Sequence, residues 1–242
     1  MYDYGEACPI SKATSILCER WTIQIIREML LGAKRFSELQ RMLPKISPSL
    51  LNARLRLLCD NGIILRKRIP EQRGYEYHLT PAGESLMPVV TEIGKWGMRW
   101  IYAGLDEEEL DITVLMGHIA AMLKVDELPS CDTVIQITFT DVTESPQWFI
   151  HVHEGKREVC DENRGYEVDV YLRSTLQTLS DIWWNNVDFK QAVASGDLQV
   201  TGAPVYTKSL AKWFPTSLFA EENKVRKKAR LASKPQSARA SC

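Results

Sequence analysis

The chain has 242 residues, 45% of them hydrophobic and 25% charged, values ordinary for a soluble globular protein and long enough for two modest domains. No apolar run approaches the ~20 residues that cross a bilayer, and the first ten residues hold no signal-peptide core, so the expectation is a cytoplasmic protein with no membrane insertion. The formal net charge of -1 hides an asymmetry: residues 1–100 carry 15 Lys/Arg against 10 Asp/Glu, residues 101–220 carry 8 against 19, and residues 221–242 carry 7 against 2.

A basic front attracts polyanions and an acidic middle repels them, which points to two jobs on one chain. Pro9 to Cys18 and Thr22 to Leu31 are the first helical candidates. The second has Ile25, Ile26, Met29 and Leu30 at helical spacing, and Gly32 stops it. Phe36 to Leu43 forms a third, with Ser37 as its expected N-cap. The fourth has the clearest ends: Ser47 caps it, Pro48 sits at its first position, and Asn61-Gly62 closes it. Leu51, Leu55 and Leu58 make its buried stripe. Ser49, Asn52, Ala53 and Arg56 fall on the opposite face, with Arg54 on the shoulder, where its long side chain is expected to reach outward.

Two extended runs follow, Ile63 to Ile69 and Tyr75 to Leu79, joined by a short charged loop, and they predict a hairpin. Thr80-Pro81 opens another helix. Val89, Ile93, Trp96 and Trp100 then recur at i, i+4, i+7 and i+11, a stripe expected to pack on its own domain or on a second subunit. Asp106 to Asp111 is an acidic link and the expected domain boundary. Beyond it a helix is read over Leu110 to Leu123. Strands are read over Val134 to Phe139, Trp148 to His153 and Tyr166 to Leu172, and a short one over Leu198 to Thr201. Helices are read from Ser174 to Trp184, over Asp188 to Ser195, and from Pro204 to Trp213-Phe214. From Glu221 the Lys/Arg/Ala/Ser-rich tail is expected to be disordered, and its basic run from Lys224 to Arg239 is weighed as a phosphate contact or a plain solvated tail.

A helix, a short turn and a second helix with a polar outer face is the arrangement that enters the major groove of double-stranded DNA. Base edges need short polar groups and Arg near the start of the second helix, and Ser47, Ser49, Asn52, Arg54 and Arg56 meet that need. Arg66, Lys67 and Arg68 on the hairpin, with Arg73 in its loop, would lie along phosphates as a wing. The competing reading is a helical bundle with a solvated charged face.

Several separated motifs in one order carry a family resemblance over residues 8–101. They are Cys8-Pro9-Ile10, Glu19-Arg20-Trp21-Thr22, Arg35-Phe36-Ser37-Glu38-Leu39, Ile46-Ser47-Pro48, Asn61-Gly62-Ile63-Ile64, Tyr75-Glu76-Tyr77, Leu79-Thr80-Pro81-Ala82-Gly83 and Trp96-Gly97. In these the chain resembles the HxlR family of winged-helix regulators. The resemblance implies a DNA-binding regulator with Arg35 added to the DNA-facing set. It also implies a homodimer built from terminal helices, with Val89, Ile93, Trp96 and Trp100 as its interface. Cys18-Glu19-Arg20 departs from the family pattern of small residues and Gly, a change expected to affect local packing. Some family members use a cysteine at the position of Cys8 for redox sensing, which makes Cys8 a redox candidate. A partly buried structural thiol is the preferred reading, because sensing needs a depressed pKa.

The acidic block resembles a sterol-carrier-protein-type-two-like domain over residues 110–219, through Trp148 to Val152, Tyr166 to Val170, Ile182-Trp183 and Gly196 to Gly202 followed by Pro204. That resemblance implies a lipid-like effector in an apolar pocket lined by Trp148, Trp183, Trp184 and Trp213; the alternative is that these aromatics simply fill the core. The expected architecture is therefore α+β: a winged helix-turn-helix over 1–105, a sheet-and-helix ligand domain over 106–220, and a basic tail over 221–242. No nucleophile elbow, phosphate loop or dinucleotide fingerprint is present, so an enzyme is not expected and neither is a cofactor. His151 and His153 share one side of a strand, but without a third ligand in a motif they read as exposed histidines, not a metal site. The six cysteines match no zinc pattern and are expected reduced. The rival function is a lipid or acyl carrier whose first domain mainly dimerises.

Overall fold

The computed structural model describes residues 5, 7–70, 73–102 and 110–232. The chain divides into two compact units, 1–93 and 94–242. In the first, α1 (Pro9–Leu17), α2 (Thr22–Leu30), α3 (Phe36–Met42) and α4 (Pro48–Asp60) precede the antiparallel pair β1 (Ile64–Arg68) and β2 (Tyr75–Leu79). A short α5 (Pro81–Glu84) follows, and then α6 (Met87–Trp100), which runs through the division. Mixed helix and sheet with an N-terminal winged helix-turn-helix is thus the observed class.

Local chemistry explains the boundaries of α4. The Ser47 hydroxyl accepts from the Leu50 amide at 3.3 Å, and Pro48 occupies a position whose N–H would be orphaned anyway. Leu51, Leu55 and Leu58 are fully buried with Ile25, Ile26, Leu39 and Ile46. Burying a Leu or Ile in this way contributes about 1.5–3 kcal/mol each. At α3 the cap differs from expectation. The N-cap residue is Arg35, not Ser37, and the Glu38 carboxylate reaches back to the amides of Lys34 (2.7 Å) and Arg35 (2.9 Å). Gly83 is needed for a different reason, because a Cβ there would sit 2.3 Å from the Ile63 carbonyl oxygen. Thr80 secures the same close approach, its hydroxyl donating to the carbonyls of Gly62 (2.7 Å) and Ile63 (3.0 Å).

The second unit contains α7 (Ile112–Met122), β3 (Thr133–Phe139), β4 (Gln147–His153), β5 (Lys156–Cys160), β6 (Val170–Ser174), α8 (Leu176–Trp183), α9 (Phe189–Ser195), β7 (Gln199–Gly202), α10 (Pro204–Trp213) and α11 (Ala220–Ala232). The sheet order is β5-β4-β3-β6-β7, with β3 and β6 parallel and the other pairs antiparallel. Strict alternation in β3 buries Thr133, Ile135, Ile137 and Phe139. The last three join Leu172 of β6, Met116 and Ile119 of α7, Leu179 and Ile182 of α8, and Leu210 of α10 in one core.

Several expectations change here. The strand read at Tyr166 to Leu172 starts later, at Val170, because the Asp169 carboxylate accepts the Val134 amide at 2.8 Å and Asn163 Oδ1 takes the amides of Gly165 and Tyr166 in a turn. β5 was not expected. Thr175, not Ser174, caps α8, its hydroxyl accepting from Thr178 N at 3.0 Å. Trp148, Trp183 and Trp213 are 8%, 4% and 0% exposed and belong to the packed core, with Trp184 against it. The division falls inside α6 rather than at 105/106, because the second half of that helix packs within the second unit: Gly94 lies under the Phe219 ring, Met98 is buried, and Arg99 Nη2 is 2.6 Å from Glu222. The acidic link at 106–111 lies mostly outside the described residues.

The tail expected to be disordered from Glu221 is helical to Ala232, and residues 233–242 lie outside the described residues. Asn223 is fully buried and donates to the Trp184 carbonyl (2.6 Å) and Asn186 Oδ1 (2.8 Å). The Arg226 guanidinium donates to Asn223 Oδ1 (2.7 Å) and to the Tyr102 carbonyl, and Lys227 donates to the Asn186 carbonyl (3.0 Å). Burial pulls the Lys227 ammonium below its usual range. These contacts engage Arg226 and Lys227 within the unit, which weakens the reading of the tail as a row of phosphate contacts.

Candidate nucleic-acid interface

Two elements of the first unit offer polar and basic side chains to solvent. On α4, Ser47, Ser49, Asn52 and Arg56 are exposed, while the leucines of the opposite face fill the core. The Ser47 and Ser49 hydroxyls are 3.2 Å apart, and the Asn52 amide nitrogen donates to the Pro48 carbonyl at 3.1 Å, leaving its oxygen outward-capable. Ile46, 2% exposed, plugs the turn between α3 and α4, and Gln40 donates to its carbonyl at 2.8 Å.

On the hairpin, Arg66, Lys67 and Arg68 are all exposed, as is Arg73 in the loop between its strands. The Arg66 guanidinium stacks on the Tyr75 ring at 3.6 Å, a cation–π contact that orients the group without consuming its donors. Arg35 pairs with the hairpin. It forms an isolated antiparallel bridge to Glu76, and its Nε is 3.7 Å from the Glu76 carboxylate. The Tyr77 amide donates to the Lys34 carbonyl at 2.7 Å, so a short third strand-like segment braces β2.

Arg54 departs from expectation. Its Nε donates to the Arg20 carbonyl at 2.8 Å and its Nη2 lies 2.8 Å from Glu19 Oε2, with the side chain 18% exposed. The guanidinium therefore ties α4 to the α1–α2 junction instead of projecting outward. Nearby Trp21, in the left-handed region at φ 76, carries the Arg20 guanidinium 5.6 Å from its ring centroid. The Cys18-Glu19-Arg20 departure is thus where Arg54 finds its partners, a contact 34 residues apart that sequence spacing does not reveal. Lys34, Arg41 and Lys45 are exposed at the two ends of α3 and in the turn, and sequence reasoning passed them over. The turn position of Lys45 was the available signal.

At Cys8, hydrogen bonds from Ser11 and Ile10 at the start of α1 hold the thiol below its ordinary pKa, while burial raises Cys59. A depressed thiol is the condition that redox sensing requires. Val89, Ile93, Trp96 and Trp100 on α6 are 44%, 47%, 59% and 69% exposed. Elsewhere, burial against Tyr166, ring centroids 4.6 Å apart, pushes the His151 imidazole below its usual pKa. Among the described residues no group of three His, Cys, Asp or Glu is placed to hold a metal, and no helix is long and apolar enough to cross a membrane.

Residues 16–104 match the family model described as HxlR-like helix-turn-helix. The uncharacterized HTH-type transcriptional regulator YvaP of Bacillus subtilis (strain 168) is 42% identical over 99 residues, which span 40% of this chain and 92% of that protein. The chain belongs to the HxlR-like helix-turn-helix family. A second family relative, the uncharacterized HTH-type transcriptional regulator sll1512 of Synechocystis sp., is 34% identical over 118 residues, 48% of this chain and 84% of its own length. Among solved structures, the reduced form of the transcriptional regulator YodB from B. subtilis is 34% identical, covering 41% of this chain and all of that one, with a TM-score of 0.37. The HxlR-like match takes in α2 to α6 in full, including every exposed α4 and hairpin residue named above.

Proposed function

We propose that this chain is a sequence-specific, DNA-binding transcriptional regulator that places α4 in the major groove and lays its basic hairpin along the phosphates. The observation that carries this reading is a polar, uncovered α4 face beside an exposed Arg66-Lys67-Arg68 hairpin in one small unit of an HxlR-like chain. A lipid carrier that merely dimerised through this unit would have no use for that hairpin. The test is polarisation or gel-shift binding to the chain's own upstream DNA against scrambled DNA at two salt concentrations. Specific binding that weakens as salt rises is expected, since phosphate neutralisation releases counterions. Equal affinity for both DNAs at every salt would remove the sequence-specific reading.

The regulator acts as a homodimer through the Val89, Ile93, Trp96 and Trp100 face of α6, four large apolar side chains exposed on one stripe. Trp96→Glu with Trp100→Glu is expected to halve the mass measured by light scattering, with the far-ultraviolet spectrum unchanged. A dimer that survives both charges would assign this face to something else. The second unit serves as the effector-sensing part. The tryptophans on which an apolar, lipid-like effector rested are spent on packing, so that effector keeps only the sheet-and-helix resemblance behind it.

A further inference from the structure

The second unit holds a cleft of about 230 Å³ at the carboxyl ends of the parallel strands β3 and β6, where α8 begins. Ligands of open α/β sheets gather at such ends. Its volume is below the ~300–1,000 Å³ of drug-sized sites, which sets the scale at a small metabolite. Every lining residue is polar or glycine, among them Thr140, Arg173, Thr178, Asp197 and Gln199.

The charges select the class of ligand. Arg173 and Gln199 face each other across the β6–β7 register, and the Arg173 guanidinium makes no hydrogen bond or ion pair among the described residues. Asp197 accepts the Ser195 hydroxyl at 2.6 Å through one carboxylate oxygen, leaving the other. A guanidinium and a carboxylate thus line one cleft without pairing to each other. The first-turn amides of α8 are already engaged, Leu176 N by the Asp141 carboxylate at 2.9 Å and Thr178 N by Thr175, so side chains and not the helix end do the recognition. A lone anion would face Asp197 with Asp141 close by, and a lone cation would face Arg173. A molecule carrying both charges satisfies both walls.

We propose that this cleft binds a small zwitterion of amino-acid type, its carboxylate on Arg173 and its ammonium on Asp197, with Gln199 and the threonine hydroxyls around the remainder. The site lies at one end of α8. At the other end, the Trp184 carbonyl is held by Asn223, whose neighbour Arg226 holds the Tyr102 carbonyl just beyond α6. Binding at the cleft does not depend on the regulator reading.

The test is equilibrium dialysis and thermal shift of the full chain with each common L-amino acid at millimolar concentration, with acetate and methylammonium as single-charge probes. At least one amino acid is expected to bind and raise the melting temperature while neither single-charge probe does so. Arg173→Ala and Asp197→Ala are each expected to weaken that binding about tenfold or more with circular dichroism unchanged. Both side chains are exposed, so both variants should fold. Absence of binding by any amino acid overturns the proposal, as does binding indifferent to both substitutions. Acetate binding as tightly as the amino acid overturns the zwitterion assignment. DNA plays no part in this assay, so failure of the regulator reading leaves its outcome intact.

Discussion

Asn52→Ala combined with Arg56→Ala is expected to weaken binding to specific DNA by about 2 kcal/mol or more while leaving affinity for scrambled DNA nearly unchanged, because contacts to base edges are worth about 1–3 kcal/mol apiece and non-specific affinity comes from phosphates. Both residues sit on the exposed face of α4, and neither holds the core together. The hairpin should behave in the opposite way. Changing Arg66, Lys67 and Arg68 to Ala is expected to lower affinity for all DNA alike and to reduce the salt slope by up to about 3, one for each phosphate left without its cation. Arg54→Ala supplies the contrast. Its guanidinium is engaged by Glu19 and the Arg20 carbonyl, so its removal is expected to lower the melting temperature through a loss of about 1 kcal/mol at this partly screened pair. Glu19→Ala should reproduce that effect. Specific affinity that falls with Arg54→Ala but not with Glu19→Ala would restore Arg54 to the base-reading set, and a full-strength Asn52/Arg56 variant would displace α4 from it.

The residues that were legible in the sequence and those that were not differ in how far away their partners lie. Ser47, Pro48 and Asn61-Gly62 mark the ends of α4 because capping is settled within a turn of helix, and the spacing of Leu51, Leu55 and Leu58 fixes its buried face. The basic hairpin was legible for the same reason, since alternation and a charged loop are local. Arg54 was misread because helical position says only that it lies on a shoulder. Whether it turns outward is decided by a carboxylate and a carbonyl more than thirty residues away. Asp169 shortened an expected strand through a single side-chain bond to Val134 N, again a long-range event. The tryptophans were legible as apolar mass, but their sequence positions do not separate a lined cavity from a filled core. The sheet's register and its facing helices decided for the core.

The same principle makes the C-terminal helix the most consequential misreading and the source of the second large effect. Composition alone gives α11 a charged, weakly apolar face, the usual mark of a solvated tail. Its place in the fold comes from donors aimed at helix ends. The last carbonyls of a helix have no intrahelical partner and carry the negative end of its dipole. Asn223 and Lys227 supply donors where α8 ends, and Arg226 supplies one just past α6. Asn223 is the centre of this set, since it also offers its oxygen to Arg226 at 2.7 Å. Asn223→Ala therefore leaves the part-buried Trp184 carbonyl without this donor and takes one acceptor from the buried Arg226 guanidinium, at a cost of about 2–3 kcal/mol. In urea unfolding followed by tryptophan fluorescence, to which Trp183 and Trp184 beside this network contribute, the midpoint is expected to fall with little change in slope. Asn223→Asp, which keeps an acceptor for Arg226 and removes the donor to Trp184, should fall between the two. Ending the chain before α11 exposes the same carbonyls to water instead of orphaning them, so for each hydrogen bond removed it should be milder than the point substitution. An Asn223→Ala protein as stable as the parent would show that α11 rests on the second unit without holding it together.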